Sequence, residues 1–361
     1  MMWEMEGKPV KFDTIELINN EKIIQKDEKK LVVFKRPKGP KMTLPRYIPI
    51  TKDLAWSFGF FVAEGNKTYT GVGIANREVY LIKKFKRTIE ESFEIENEKW
   101  RLYIKTSDKD LEKIGKKWKN KLNIAKTNVN FTKMARKDVI EIRLNNTLFS
   151  VIFNILIQKV LPKILKNREL LINFLDGYEV GDGSVIQRNG YLYGIVITVK
   201  NRFMKDYLVE AFRRLYNYSA SVRRTKGSYE ITVRGIHMMT QLILDGHFKS
   251  SERQWKKLVS CYLKKEYTRS HVRYWFTLAD GFLPTNKIAN RVDRSNESVG
   301  DALNRDIDLG LAIAKRVRIP NKSGAHLKFY SLSENGEKLI KILKEVGYNG
   351  EENIDLRCGG T

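Results

Sequence analysis

The chain has 361 residues, with 67 Lys+Arg against 42 Asp+Glu, a formal net charge of +25 and a pI near 9.8. That excess favours a polyanionic partner and fast electrostatic capture, and it says nothing about fold. A hydrophobic content of 42% excludes wholesale disorder, and the length allows two or three domains. With only Cys261 and Cys358 present, a disulfide scaffold or zinc ribbon is excluded, and the four histidines form no metal-spaced pair. No Gly-rich phosphate loop is present.

The N-terminal "MMWEMEGK" lacks the apolar core of a signal peptide, so no targeting segment is expected and the protein reads as cytoplasmic. In residues 1–45, "IELINNEKIIQ" and "KLVVFKRP" read as short strands around a charged "KDEKK". "SFGFFVAEG", Ser57 to Gly65, ends a helix that Thr51 or Asp53 can cap. Strand-like sequence follows, then Asn76-Arg77 and an amphipathic helix. The lysines from Lys113 to Lys121 read as a solvated or phosphate-contacting helix face. "DVIEIRLNN", from Asp138, gives another strand, and an apolar helix covers Leu148 to Leu165. Its longest apolar run, Leu148 to Ile157, is too short to span a bilayer, so no membrane partner is expected.

The same order then recurs. Asn167 caps a helix through "LDGYEVGDG", Leu175 to Gly183, followed by strand-like sequence, Asn201-Arg202 and a second amphipathic helix. Val222 to Lys226 form a strand end turning into a hairpin, "SYEITVRG" from Ser228 is a strand, and His237 to Leu244 form a final apolar helix.

Laid over each other, the two helix-ending segments align without a gap at an offset of 118 residues. Gly59 matches Gly177, Ala63 matches Gly181, Glu64 matches Asp182 and Gly65 matches Gly183. Small residues at i and i+4 lie on one helix face and let two helices approach closely. Gly65 and Gly183 sit where a left-handed C-terminal residue would be expected. Side-by-side packing brings Glu64 and Asp182 to one end of the pair, beside the unpaired carbonyls of each last turn. Two carboxylates with carbonyl oxygens form a hard-ligand site suited to Mg²⁺, with Mn²⁺ as a substitute, for phosphodiester hydrolysis.

On these residues the chain resembles the single-chain, two-motif LAGLIDADG homing endonucleases, and "LPRYIPITKDLAW" resembles the lead-in of archaeal and intein-borne members. The resemblance implies an α+β fold of two pseudo-symmetric αββαββα halves forming a DNA-binding β-saddle. It assigns Glu64 and Asp182 as catalytic metal ligands, the carbonyls of Ala63 and Gly181 as further ligands, and Gly59 and Gly177 as the helix contacts. Asp176 and Glu179 depart from the motif by placing charge where it is usually apolar, and Val62 and Val180 replace its first acid. Lys200, Arg143 and Arg234, near strand ends, are candidates to assist the leaving group or scissile phosphate. The sheet-face and flanking cations Arg77, Arg188, Arg202, Arg223, Arg224 and Lys226 are candidate DNA contacts.

Beyond Tyr262, helical segments precede "AKRVRIPNKSGAHLKFYSL", a strand, Gly-bearing tip and return strand, and "SENGEKLIKIL" closes as a helix. This order resembles a winged helix. Its implied recognition helix runs about Ser295 to Arg305, with Arg294, Ser295, Asn296, Ser298, Asn304 and Arg305 as candidate contacts. The expected organisation is an N-terminal extension (1–45), a first LAGLIDADG half (46–166), a second (167–265), a winged helix (266–350) and a tail (351–361). The expected activity is metal-dependent, site-specific cleavage of both strands of DNA at a long site by a monomer. The alternatives are a non-cleaving DNA-binding regulator and an intron RNA maturase on the same scaffold.

Overall fold

The computed structural model describes residues 11–17, 22–25, 28–34, 41–65, 70–135, 137–189, 191–264, 266–318 and 326–348. The expected wing tip at 319–325 and the tail at 351–361 lie outside them. The chain is mixed α and β, and it divides into two compact units. The first comprises 1–183, 197–219 and 226–229; the second comprises 184–196, 220–225 and 230–361.

The first unit opens with β1 (Lys11–Asp13), a 3-10 turn (Thr14–Leu17), β2 (Lys22–Gln25), β3 (Lys30–Phe34), β4 (Lys41–Pro45) and β5 (Tyr47–Pro49). Strands β2, β3 and β4 pair antiparallel in that order, and β1 pairs with β5. The sequence reads a strand through Ile15 to Leu17, but the Asp13 carboxylate accepts the Ile15 N–H at 3.0 Å. That local bond starts a turn instead.

Next come α1 (Lys52–Glu64), β6 (Val72–Asn76), α2 (Val79–Phe93), β7 (Trp100–Thr106), α3 (Leu111–Leu122), β8 (Lys126–Phe131), β9 (Val139–Leu144), α4 (Thr147–Ile164) and α5 (Arg168–Asp182). Thr51 supplies the α1 cap, accepting the Leu54 N–H at 3.1 Å, and Asn167 caps α5 through the Leu170 N–H at 3.0 Å. Helix α4 has the length and composition of a membrane span, longer than the ten-residue run alone suggests; 56% of it is buried inside the protein, where Phe149 and Phe153 pack on Phe93.

The remaining elements are β10 (Gly183–Arg188), β11 (Tyr191–Val199), α6 (Arg202–Tyr216), β12 (Ser221–Thr225), β13 (Ser228–Arg234), α7 (Ile236–Asp245), α8 (Glu252–Lys264), α9 (Glu266–Leu278), β14 (Leu283–Pro284), α10 (Thr285–Val292), α11 (Asn296–Asp308), β15 (Ala312–Arg318), β16 (His326–Leu332) and α12 (Glu334–Glu345). Helix α8 has no counterpart in the sequence reading: its buried Trp255, Leu258, Val259 and Tyr262 alternate with lysines and arginines that mask the apolar stripe. From α9 onward, one buried ionic group is satisfied by an aromatic donor: Trp275 Nε1 donates to the fully buried Asp306 carboxylate at 2.9 Å. Strands β14, β16 and β15 form a sheet in that order.

Three strands of the two four-stranded sheets correspond in order. One runs β10-β11-β13-β12, and the other runs β6-β9-β7-β8, with Gly65 bridging Ile74 on the outer side of β6. Gly65, β6, β9 and β7 therefore match β10, β11, β13 and β12. Helix α3 and strand β8 are an insertion, and β8 lies parallel to β7 as one further edge strand.

The centre of the first unit is the pairing of α1 and α5. A Cβ on Gly59 would lie 2.0 Å from the Phe174 carbonyl oxygen and 2.9 Å from the Tyr178 nitrogen. A Cβ on Gly177 would lie 2.1 Å from the Trp56 oxygen and 3.0 Å from the Phe60 nitrogen. Trp56 and Phe174, like Phe60 and Tyr178, are 118 residues apart, so each glycine meets the residues equivalent to its partner's neighbours. The helices are backbone against backbone across a local pseudo-two-fold axis. Beneath α1, Phe61 meets Phe153 edge-on at 5.0 Å and Phe60 meets Phe85 at 6.3 Å, while Lys84 Nζ sits 4.2 Å above the Trp56 ring.

Gly59→Ala should therefore destabilise the protein by on the order of 3 kcal/mol, because the added methyl has only backbone to push against. Gly300→Ala, in α11 with nothing within 4 Å of the new Cβ, should instead stabilise by about 1 kcal/mol. Urea unfolding of the two variants beside the native chain checks both signs.

Candidate active site

The acids lie where α1 and α5 end. Each is the last helical residue, and the chain passes directly from it into extended backbone: Gly65 has φ −64° and ψ 139°, and Gly183 has φ −97° and ψ 157°. The expected left-handed caps are absent: Gly183 is already the first residue of β10, and Gly65 bridges Ile74 in extended backbone. Glycine at 65 answers a different need, since a Cβ there would lie 2.2 Å from the Phe61 carbonyl oxygen.

Ala63 and Gly181 complete the helix contact. A Cβ on Gly181 would sit 2.6 Å from the Ala63 Cβ and 2.9 Å from the Glu64 Cγ. The two helix ends are thus locked at the level of the acids, and the charge of Asp182 is felt at Glu64. Burial, then repulsion from Asp182, push the Glu64 carboxyl up to about 7, opposed by a hydrogen bond that the Asn76 amide donates at 3.4 Å. Asp182 itself is exposed. The Tyr178 hydroxyl is raised by burial and by the same Asp182 charge. Asp176 and Glu179, the two departures from the motif, are buried in α5, and neither is without a partner. Of the three acids in this segment, it is Asp182 whose charge is coupled to Glu64.

Sequence reasoning missed Asn76. It turns up next to Glu64 because β6 runs back past the end of α1 after the Gly65–Ile74 bridge. The Asn-Arg pair shared by both halves pointed at this position, but as a helix start. Asn76 does serve that purpose as well, accepting the Glu78 N–H at 2.8 Å, while Asn201 caps α6 through the Phe203 N–H at 2.7 Å.

The three candidate assisting cations are placed differently. Lys200 is exposed between β11 and α6. Arg143 is half-buried on β9, where its Nε and Nη2 donate to Glu141 at 3.0 and 2.5 Å and its guanidinium lies 5.0 Å from the Tyr103 ring centre. Arg234 is exposed at the end of β13, 4.5 Å from the Tyr193 ring centre. Arg143 and Arg234 occupy matching positions. A Cβ on Gly73 would lie 3.1 Å from the Arg143 side chain and 2.8 Å from the Ile142 oxygen; one on Gly194 would lie 3.1 Å from the Arg234 side chain and 2.3 Å from the Val233 oxygen.

Among the nucleic-acid contact candidates, Arg77, Arg188, Arg202, Arg223, Arg224 and Lys226 are all exposed. Arg188 stacks 3.8 Å from the Tyr193 ring centre, and Arg202 lies 3.9 Å from Asp206. In the C-terminal region Arg294, Ser295, Asn296, Ser298, Asn304 and Arg305 are exposed around α11. The Ser295 oxygen is engaged as the α11 cap, accepting the Ser298 N–H at 3.2 Å, and Asn304 accepts from Lys328 at 2.5 Å.

No family model matches the chain and no curated protein matches it. Solved structures do. The N-terminal LAGLIDADG domain of DUF199/WhiA matches at 10% identity over 54% of this chain and 83% of that one, with a TM-score of 0.35. Full-length DUF199/WhiA from Thermatoga maritima matches at 10% identity over 72% and 92%, with a TM-score of 0.37. I-DmoI in complex with DNA and Ca matches at 14% identity over 54% and 90%, with a TM-score of 0.34.

The raised carboxyl at Glu64 has a consequence for stability. An acid whose folded pKa exceeds its unfolded value costs nothing while both states are protonated. Its penalty grows as pH climbs from about 4.5 to about 7 and is constant above that. In the absence of divalent cation, Glu64→Gln should melt higher than the native protein at pH 8, and the two curves should converge near pH 4. A pH series of thermal melts in chelator measures the difference.

Proposed function

We propose that this chain is a site-specific, metal-dependent endonuclease acting on double-stranded DNA, built on a two-motif LAGLIDADG scaffold with a winged-helix module after it. The observation that carries the reading is the Glu64–Asp182 pair, two acids from equivalent positions of two paired helices. A carboxylate whose protonation is favoured by a neighbouring carboxylate is a site that a divalent cation would relieve. The donor set, two carboxylates with the Ala63 and Gly181 carbonyls as candidate additional ligands, fits Mg²⁺ by its hard oxygen chemistry. When bound there, Mg²⁺ or Mn²⁺ would activate water and stabilise the charge of an in-line phosphodiester displacement.

The chain's own residues have separable tasks in this scheme. Asn76 fixes the orientation of the Glu64 carboxylate through its donated hydrogen bond. Ala63 and Gly181 set how close the two acids come. Arg143 and Arg234 never release a proton, so they act by holding phosphate. Lys200, the remaining cation, is the one able to exchange a proton with a leaving oxygen. Arg77, Arg188, Arg202, Arg223, Arg224 and Lys226 bind backbone phosphate or base edges along the two sheets. Helix α11, followed by the β15–β16 hairpin, has the order of a winged helix, with Arg294, Asn296, Ser298 and Arg305 as its candidate DNA contacts. Both motif helices belong to one chain, so a monomer suffices, and its two unlike halves permit a target without strict palindromy.

Incubation with a randomised or genomic duplex library in Mg²⁺, with the ends sequenced, tests the proposal. The native chain should make discrete double-strand cuts. Asp182→Asn should lower cleavage on the order of a hundredfold or more while leaving binding intact. Mg²⁺ should also raise the melting temperature of the native protein above that of Asp182→Asn. Tight, salt-sensitive binding without cutting in Mg²⁺ or Mn²⁺ would identify a regulator, and preferential competition by structured intron RNA would identify a maturase.

A further inference from the structure

The inserted strand β8 carries a chemistry of its own. In β7 the residues Trp100, Leu102, Ile104 and Thr106 are buried, and Arg101, Tyr103 and Lys105 face the other way. Strand β8 pairs parallel with β7 in the register Arg101–Lys126, Tyr103–Asn128 and Lys105–Asn130. Strand β9 pairs on the other side in the register Arg101–Arg143, Tyr103–Glu141 and Lys105–Val139. On the face opposite the core, three rows therefore cross the sheet: Arg143, Arg101 and Lys126; Glu141, Tyr103 and Asn128; Val139, Lys105 and Asn130. The alternate β8 residue Val129 faces α3, where a Cβ on Gly115 would lie 3.2 Å from its Cγ2. Lys126, Asn128 and Asn130 are exposed.

The insertion is also rigidly held. Trp118 of α3 donates through Nε1 to the Asp138 carboxylate at 2.7 Å, and Thr106 at the end of β7 donates to the same carboxylate at 2.7 Å. Ile114, Trp118 and Leu122 are buried beneath. A strand clamped in register, with lysine and asparagine on alternate exposed positions, presents side chains that pair with guanine and adenine edges in a major groove. A free-standing edge needs no such fixation.

We propose that β8 is a supplementary reading strand: Lys126, Asn128 and Asn130 contact base edges of duplex DNA at the outer end of one half-site, beyond the reach of β7 and β9. The inference rests on the endonuclease reading above and adds to it a lopsided target. The other four-stranded sheet ends at β12 and has no equivalent of β8, so one half-site is read further out than the other. With strands about 4.8 Å apart and base pairs about 3.4 Å apart along the axis, the added block is about two to four base pairs.

The test uses the full chain and the duplex recovered as its preferred target, with every position substituted singly and bound fractions sequenced. The native profile is compared with that of Lys126→Ala/Asn128→Ala/Asn130→Ala. The triple variant should lose preference by roughly fivefold or more at a contiguous block at one end of the target, with all other positions unchanged. A second variant, Asn128→Asp, keeps size and fold and should shift the preference at one position in that block toward cytosine. Thermal melts establish that both variants are folded. Unchanged profiles in both variants, or uniform weakening across the whole target, would overturn the inference while leaving the endonuclease reading intact. A native profile flat at every position would overturn both.

Discussion

Everything in the first unit depends on two helices meeting backbone to backbone. At Gly59 and Gly177 there is no room for even one carbon, and Ala63 and Gly181 close the same contact one turn further on. Helices that close have no rotational slack, so residues one position beyond the small pair emerge at a fixed place. That is why the acid follows the small residue directly in both copies. Moving either acid by one residue would turn its carboxylate about 100° around the helix and dissolve the pair.

The cost of this placement falls on Glu64, where burial and a second acid both oppose ionisation. Among the described residues, the Asn76 amide offsets part of that cost by donating to the Glu64 carboxylate. Glu64 thus tends to hold its proton at the point where the proposed cation would bind. Acids elsewhere in the chain are handled otherwise. Buried Asp306 is closed off by an indole N–H and serves packing, while half-buried Asp138 is held by Trp118 and Thr106.

The paired helices, their caps and the duplicated strand-helix order were legible in the sequence because they rest on local rules: a Thr or Asn cap, an apolar stripe, a Gly-small-acid-Gly spacing. What was not legible depends on tertiary placement. The parallel seat of β8 leaves little trace in "KTNVNF", which is polar on one face and only half-buried on the other. Helix α8 was hidden by its own basic residues. The expectation of a left-handed cap at Gly65 failed because a C-terminal glycine has two explanations, a positive φ or a close approach, and only the three-dimensional setting at Phe61 decides between them. Asn76 was visible as a repeated residue, yet its reach to Glu64 depends on where β6 lies.

The distance in sequence between α1 and α5 also orders events in time. During synthesis α1 emerges with its glycine face uncovered, and α2, the first sheet and α4 can assemble around Phe61 and Phe85 before the partner helix exists. The contact between Gly59 and Gly177 closes a long loop, a late and slow kind of step in folding. The acid pair therefore cannot form until Asp182, halfway along the 361 residues, has left the ribosome.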